Sequence, residues 1–281
     1  MSKEKSIIDI CNKDIQEFEN VIKKPKKSKS NTYYCGVDLG TACVVITVLD
    51  ENKRTVAGAY KYADVVKDGM IVDYIGAVDI VRELKEELDN KLETELIYAA
   101  AAIPPGTDGL DAGTIKNVVQ GAGFEITAIV NEPTAANEVL KIENGAIVDI
   151  GGGTTGISIF KDGKVEKVID EATGGTHFSL VVAGAYKLSY EEAEIYKRNK
   201  NNHDELIVTL KPVVEKISKI IVDSIEGYGV NEIYLVGGSS CLKGIEKIIQ
   251  KKTGIPTYKP INPIFVTPIG IARNCTEQII S

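Results

Sequence analysis

The 281-residue sequence has no apolar run long enough to cross a bilayer. Its longest apolar stretches, such as residues 97–103, fall far short of the roughly 20 residues that a membrane helix needs. The N-terminus also lacks the continuous apolar segment and the small-residue cleavage site of a secretory signal. We therefore expect a cytosolic protein without a transmembrane segment.

The sequence also lacks cysteine pairs at metal-binding spacing and a net positive charge. The five cysteines include no CxxC pair, so we expect reduced and mostly buried thiols. A formal net charge of −7 argues against a nucleic-acid surface. His177 and His203 have no neighbours of the metal-ligand type, so we expect both to be structural. At 43% hydrophobic and 26% charged residues, the chain can bury the core of one large domain or two smaller ones.

Two common nucleotide-binding motifs are excluded or disfavoured. No GxxxxGK[ST] segment occurs, which excludes a P-loop. Gly151, Gly153 and Gly156 do fit the GxGxxG dinucleotide pattern. That pattern opens a helix in a Rossmann fold, whereas here the chain is predicted to continue as a β-hairpin, so a dinucleotide site is not expected.

The first thirty residues differ from the rest of the chain. Ile7, Cys11, Ile15, Phe18 and Ile22 recur at helical spacing and predict an amphipathic helix. The lysine-rich residues 23–31 then predict a flexible linker. A detached helix would leave its apolar stripe exposed, which favours a partner protein over the alternatives, a lipid surface or packing on its own domain as a brace.

From Tyr33 onwards, strand-like and helix-like patterns alternate, which predicts an α/β fold. Among the later segments, residues 206–228 are predicted to form one long helix.

A short unit occurs twice in the sequence. Asp38 ends a predicted strand and is followed by a glycine turn, a hydroxyl residue and another strand, and Asp149 begins the same pattern. Glycine amides and hydroxyls suit phosphate oxygens, and a carboxylate suits hydrated Mg²⁺. Two such turns facing each other would hold a polyphosphate. The alternative is that they are ordinary hairpin turns without a ligand.

Four ordered motifs resemble the actin, Hsp70 and sugar-kinase ATPase superfamily. They are GVDLGTA at residues 36–42, NEPTAA at 131–136, DIGGGTTGISIF at 149–160 and VGGSS at 236–240. The resemblance implies a duplicated actin-like ATPase fold of ribonuclease-H-like domains with reduced subdomains, preceded by the N-terminal helix. The expected divisions are 1–31 for the helix and linker, 32–145 with 265–281 for the first domain, and 146–264 for the second.

The resemblance also implies a role for individual residues, with ATP or ADP and Mg²⁺ as the bound groups. Asp38 and Asp149 would hold Mg²⁺ through water, and Glu132 would orient the attacking water. Ala42 stands where relatives usually carry a second hydroxyl, so we expect slow hydrolysis. The remaining expected nucleotide contacts are Gly40, Thr41, Gly151, Gly152, Gly153, Thr154 and Thr155 for phosphates, Gly174, Gly175 and Thr176 near the β-phosphate, Glu194 and Lys197 at ribose and adenine, and Gly237, Gly238 and Ser239 against adenosine.

Within the superfamily, the arrangement is most similar to the Hsp70-like family of ethanolamine utilization. This implies a Mg-ATP-dependent chaperone or assembly factor associated with a bacterial microcompartment. Its partner would be a client, shell or cargo protein, reached through the N-terminal helix. The alternatives are a nucleotide-binding scaffold of the bacterial-actin or PilM type with little hydrolysis, and a small-molecule kinase.

Overall fold

The structure is a computed structural model that describes residues 3–26, 30–67, 69–104 and 109–280. It divides into two units. The first comprises the described residues of Met1–Lys141 and Phe265–Ser281, and the second is Ile142–Ile264. None of the helices in these described ranges combines the length and apolarity that a bilayer-spanning segment requires.

The first unit is built on a five-stranded sheet with the order β3-β2-β1-β6-β7. Strands β1, β6 and β7 are parallel, and β2 and β3 continue the sheet in antiparallel fashion. Its elements are α1 (Lys3–Lys23), β1 (Tyr34–Leu39), β2 (Cys43–Leu49), β3 (Thr55–Tyr62), β4 (Val66–Lys67), β5 (Met70–Ile71), α2 (Tyr74–Leu92), β6 (Tyr98–Ile103), α3 (Gly109–Gly121), β7 (Glu125–Asn131), α4 (Glu132–Leu140) and, from the C-terminal segment, α10 (Val266–Asn274).

The second unit has its own five-stranded sheet, with the order β10-β9-β8-β11-β12. Its elements are β8 (Gly145–Ile150), β9 (Thr155–Lys161), β10 (Lys164–Glu171), α5 (Gly175–Tyr186), α6 (Tyr190–Arg198), α7 (His203–Thr209), α8 (Lys211–Ile225), β11 (Ile233–Val236), α9 (Ile245–Thr253) and β12 (Thr257–Tyr258).

The two sheets share one topology. In each, three antiparallel strands lie beside two further strands that run parallel to the first strand of the unit. The predicted α/β class and the internal repeat are therefore confirmed.

Local signals explain where several helices begin. Asp73 caps α2 by accepting a hydrogen bond from the Gly76 amide at 2.9 Å. Ser189 and Glu192 form a reciprocal capping box at the start of α6. These caps satisfy amides that have no partner inside the helix.

The single helix predicted over residues 206–228 is wrong. The chain forms α7 up to Thr209 and α8 from Lys211, with Leu210 between them and Pro212 in the first turn of α8. Proline has no amide hydrogen and is favoured at helix starts, so it ends one helix and begins the next. Helix α8 then stops at Ile225, shortly before two glycines with positive φ, Gly227 and Gly229.

The prediction of a detached N-terminal helix is also wrong. Helix α1 forms as predicted, but Cys11, Ile15, Phe18 and Val21 are fully buried within the first unit. The Phe18 ring meets Phe265 edge-on at 5.0 Å between centroids. The apolar stripe is covered by the same unit, so the brace alternative is the correct one and no partner is needed to cover the stripe.

One glycine and one ion pair help to hold α1 against its unit. A side chain at Gly58 on β3 would come within 2.2 Å of the Phe18 ring, so the glycine makes room for the aromatic side chain. Asp14 pairs with Arg273 of α10 at 2.5 Å. Burial raises the pKa of the Cys11 thiol to about 12, so this thiol stays protonated and acts as a packing group.

The segment after α1 is anchored at both described ends. The Lys26 amide donates to the Val56 carbonyl at 2.8 Å. Ser30 and Asn31 bond to Glu51 in the turn between β2 and β3. Residues 27–29 of the predicted linker lie outside the described residues. The described residues of this segment therefore hold α1 against its unit.

Replacing Phe18 with alanine should destabilise the protein. The change removes a fully buried ring from a close-packed site. We expect the free energy of unfolding to fall by about 3–5 kcal/mol, measured by denaturant unfolding.

The matched control is Ile10→Ala on the same helix, where the side chain is 54% exposed. We expect that change to alter stability by about 0.5 kcal/mol or less. Equal effects of the two substitutions would show that α1 does not pack on the first unit.

Candidate functional site

In the first unit, Asp38 lies near the carboxyl end of the central strand β1. It is on the same face as Gly36, because side chains alternate along a strand. That face is covered by α10, since a side chain at Gly36 would come within 2.3 Å of the Ala272 amide. Asp38 therefore lies where β1 ends, on the face of the sheet that α10 covers.

Glu132 comes directly after β7 and opens α4. Strands β1, β6 and β7 are parallel and adjacent, so their carboxyl ends meet at one edge. The axes of β1 and β7 are about 10 Å apart, from two strand spacings. Helix α4 contacts α10 closely: a side chain at Gly270 would come within 1.8 Å of the Ala135 carbonyl. Asp38 and Glu132 therefore lie at the same edge and on the same face of this sheet.

The turn after Asp38 contains Gly40, Thr41 and Ala42. It is closed by a hydrogen bond from the Gly40 amide to the Cys43 carbonyl at 3.1 Å. All three residues are partly exposed. The turn thus has the short, glycine-containing form expected for a phosphate loop.

In the second unit, Asp149 occupies the matching position near the end of β8. It pairs with Gly156 on β9 and with Val236 on β11. Gly237 follows β11 with φ +87°, and a side chain there would come within 2.1 Å of the Asp149 carboxylate. The glycine is required both by its backbone conformation and by the space that the carboxylate fills.

The loop after Asp149 is bonded to the first turn of α5. The Gly175 amide donates to the Gly151 carbonyl at 2.9 Å, and the Thr176 amide donates to the Gly152 carbonyl at 2.7 Å. The Ser239 hydroxyl also donates to the Gly151 carbonyl, at 2.7 Å. The loop, α5 and the residue after the VGG segment therefore form one hydrogen-bonded cluster.

These bonds orient two amides. The C=O of one residue and the N–H of the next point in opposite directions across a trans peptide. Since the carbonyls of Gly151 and Gly152 point at α5, the N–H groups of Gly152 and Gly153 point away from it. Successive backbone N–H groups aimed in one direction form an anion-binding concavity.

Three of the remaining expected contacts lie around this cluster. Gly174 is the N-cap of α5, where a side chain would come within about 3 Å of the backbone of Gly151, Gly152 and Gly153. The Thr154 carbonyl accepts a hydrogen bond from the Gly151 amide at 2.9 Å. Gly238 lies next to Ile264.

Thr155 departs from the expectation. Its side chain is fully buried, and its hydroxyl donates to the Thr173 carbonyl at 2.5 Å. Thr155 begins β9 with its side chain turned into the unit, so this hydroxyl supports the loop after β10 instead of reaching a phosphate.

Glu194 and Lys197 are not surface residues of α6. Each side chain is 15% exposed, and Lys197 Nζ lies 2.6 Å from Glu194 Oε1. Ser179 of α5 bonds to both. Ser179 is not among the predicted site residues, although a hydroxyl residue in the otherwise apolar middle of α5 is a usable signal.

His203 is held by hydrogen bonds inside the second unit. His203 is buried, with Nε2 3.1 Å from the Lys197 carbonyl and Nδ1 accepting from the Lys243 amide. Burial lowers the pKa of His203, which favours the neutral ring. Among the described residues, no three His, Cys, Asp or Glu side chains form a metal-binding group, and the five cysteines are free.

The donor set nevertheless fits Mg²⁺ with a nucleotide. Mg²⁺ keeps several waters and is commonly held by one or two carboxylates together with substrate phosphates. In the second unit, Asp149 would supply such a carboxylate, and Gly237 keeps the space beside it free of a side chain. In the first unit, Asp38 offers a carboxylate near the end of β1. The amides of Gly152 and Gly153 would bind phosphate oxygens.

Known proteins resemble this chain over most of its length. Family models described as Type IV pilus assembly protein PilM and as MreB/Mbl protein match residues 127–269 and 54–183, respectively. The ethanolamine utilization protein EutJ of Salmonella typhimurium is 42% identical over 242 residues, which cover 86% of this chain and 85% of the relative.

The chain belongs to the EutJ family of ethanolamine utilization proteins.

Solved structures place the EutJ family fold among the actin-like ATPases. The crystal structure of EutJ from Carboxydothermus hydrogenoformans is 43% identical, with a TM-score of 0.89 over 96% of this chain and 99% of that one. MreB5 of Spiroplasma citri, bound to AMPPNP, is 17% identical, with a TM-score of 0.69 over 86% of this chain and 95% of that one. The predicted actin-like ATPase fold is thereby confirmed.

Gly237→Ala should destabilise the protein more than backbone strain at a positive φ would do by itself. The new methyl group would meet the Asp149 carboxylate and the Ile150 carbonyl at 2.1 and 2.6 Å. Unfolding in denaturant measures the effect.

Gly229→Ala is the matched control, because Gly229 has φ +65° with nothing within 4 Å of the added carbon. We expect the control to cost about 1–2 kcal/mol and Gly237→Ala to cost clearly more. If the two costs are equal, Asp149 is not held against Gly237.

Proposed function

We propose that this protein binds ATP with Mg²⁺, hydrolyses it slowly, and serves as a chaperone or assembly factor in ethanolamine utilization and its bacterial microcompartment. The observation that carries the binding proposal is the pair of Asp–glycine turns, one in each unit, at equivalent ends of two sheets with the same topology. The names of the EutJ relatives and the AMPPNP in the MreB5 structure support the pathway and the ligand.

The proposed chemistry assigns each group a separate task. Bound Mg²⁺ would neutralise charge on the phosphates. Asp38 and Asp149 would hold its waters, and the Gly152 and Gly153 amides would donate to phosphate oxygens. Glu132 would orient the attacking water, because phosphoryl transfer asks a protein mainly for positioning and charge neutralisation.

Ala42 is a reason to expect slow ATP hydrolysis. A hydroxyl at this position could donate to a phosphate, and a hydrogen bond to a charged group contributes about 1.5–3 kcal/mol. Ala42 has no side-chain donor, so that contribution is missing from the first turn.

Mg²⁺-dependent binding is tested by calorimetry with ATP. We expect Asp149→Ala to weaken Mg·ATP binding about tenfold or more, because it removes a carboxylate from the metal's water shell. A chelator should weaken wild-type binding in the same way.

The control for this experiment is Asp223→Ala, which removes an exposed carboxylate paired with Lys219 on the surface of α8. We expect no change in affinity. Equal wild-type affinity with and without metal would contradict the metal assignment.

Glu132→Gln should keep ATP binding and lower turnover. The carboxylate acts on the attacking water only as the reaction proceeds, so removing it should lower kcat. We expect a loss of about 100-fold in steady-state phosphate release, with the Kd for ATP nearly unchanged.

Glu138→Gln on the same helix is the control, since the Glu138 side chain forms a surface ion pair with Lys141. It should leave both binding and turnover unchanged. Turnover at the wild-type rate in Glu132→Gln would remove Glu132 from the mechanism.

A scaffold is the second candidate, favoured by the PilM and MreB family models. Filament formation on addition of ATP, detected by sedimentation, would favour it over the chaperone proposal. In either case the apolar stripe of α1 is buried, so a protein partner would have to engage a different surface.

A further inference from the structure

The two five-stranded sheets have four outer edges, and three of these are short or bonded to another segment. At β3, the Val56 carbonyl accepts from the Lys26 amide at 2.8 Å. At β7, the Ile126 carbonyl accepts from the Ile280 amide at 3.0 Å. Strand β12 is only two residues long. The fourth edge is β10, which has eight residues and, in the described part of the chain, pairs with β9 alone.

The backbone of β10 presents hydrogen-bonding groups at this open edge. In an antiparallel sheet, the backbone groups of successive residues point to opposite sides of the strand. The Gly151 amide donates to the Thr154 carbonyl at 2.9 Å. Counting along β9 from this bond, the backbone of Ile157 faces β10, where Ile169 lies opposite. The N–H and C=O of Ile169 therefore face β9, and those of its neighbour Val168 point at the open edge.

The side chains of β10 leave this edge accessible. None of its residues is buried, and Val165 and Val168 are 39% and 36% exposed. Valine suits a pleated surface that is half covered by neighbouring strands. A row of unpaired backbone groups with accessible side chains is a template for pairing with another strand. The open edge of β10 therefore fits a β-strand as its partner.

The charges at the two ends of β10 indicate which strand would fit. Lys164 is its first residue, and Asp170 and Glu171 are its last two. Opposite charges that face each other across neighbouring strands stabilise a sheet, whereas like charges destabilise it. Parallel pairing of two copies of β10 would place each end beside the same end of the other copy. Antiparallel pairing places the Lys164 end beside the acidic end, and two-fold symmetry repeats this contact.

The two charged residues in the middle of β10 interact within their own unit. Glu166 lies 3.8 Å from Lys161, and the Lys167 ammonium lies 4.9 Å from the centre of the Tyr228 ring. The charges at the ends of the strand therefore decide which direction of pairing is favoured.

We propose that two copies of this chain associate through β10 in antiparallel fashion, so that the sheets of their second units join into one continuous sheet. The two-fold arrangement uses the open edge of both copies, so the assembly closes at a dimer and does not grow into a filament. A contact between two strands is small, and small interfaces are typical of weak complexes, so the dimer is reversible. This inference depends on the sheet edge and not on nucleotide binding.

Sedimentation velocity of the full-length protein without nucleotide, over a range of concentrations, measures this association. We expect a reversible equilibrium between monomer and dimer for the wild type. Lys164→Glu places like charges side by side at both ends of the paired strands, so it should weaken dimerisation about tenfold or more. Glu171→Lys should weaken it to a similar extent. A wild-type chain that stays monomeric at every concentration would overturn the proposal.

An equimolar mixture of Lys164→Glu and Glu171→Lys tests the direction of pairing. In a mixed dimer, opposite charges again face each other at both ends, so we expect association close to that of the wild type. Damage to the fold, or a dimer formed through another surface, would not produce this recovery. A mixture that dimerises no better than the separate variants would overturn the proposal.

Val168→Pro tests the backbone contact. Proline removes the amide hydrogen that points at the open edge and is accepted on edge strands at such positions. We expect dimerisation to be lost, with denaturant unfolding showing that the variant is folded. Val168→Ala keeps the amide and should weaken dimerisation less. Dimerisation of folded Val168→Pro at the wild-type level would contradict the proposal.

The control for the charge variants is Lys219→Glu, which makes the same change at an exposed lysine of α8. We expect dimerisation to stay at the wild-type level. A loss as large as that of Lys164→Glu would overturn the proposal, because net charge and not β10 would then govern the association.

Discussion

The hydrogen bonds from the first turn of α5 to the Gly151 and Gly152 carbonyls are the contacts on which the candidate site of the second unit depends. They determine which way two peptide planes face, and hence where the following amides point. The Ser239 hydroxyl adds a third hydrogen bond, to the Gly151 carbonyl. Lys197 donates to the Gly175 carbonyl in the first turn of α5. In the proposed function, these bonds hold the loop in the orientation that binds an anion, which reduces the cost of ordering it on binding.

In the first unit, strand ends and helix packing fix the positions of Asp38 and Glu132. Asp38 and Glu132 follow parallel strands whose carboxyl ends meet at one edge, and the close packing of α10 against β1 and α4 fixes the face on which they lie. Helix α1 extends this packing, because Asp14 pairs with Arg273, which also donates to the Glu138 carbonyl. The N-terminal helix thus supports both α10 and the helix that begins at Glu132.

Sequence patterns were sufficient where the signal is local. The strand–Asp–glycine turns were recognisable twice because the turn chemistry is contained in a few consecutive residues. A local pattern does not show which surface covers an apolar stripe. The spacing of Cys11, Ile15 and Phe18 predicts a helix. The surface that covers this helix depends on Gly58 and Phe265, which lie far along the chain. Likewise, a Glu and a Lys three residues apart resemble a surface pair, and only the fold brings Ser179 and Gly175 to them. Pro212 was a local signal for the break between α7 and α8 that the periodicity of the flanking residues obscured.

The most direct test of the central claim is an NMR titration of protein labelled with ¹⁵N-glycine. The account predicts that Mg·ATP shifts the amide signals of Gly152 and Gly153 strongly, while glycines outside the candidate site, such as Gly163 and Gly254, stay in place. Binding of Mg·ATP that leaves the Gly152 and Gly153 signals unmoved would contradict the account.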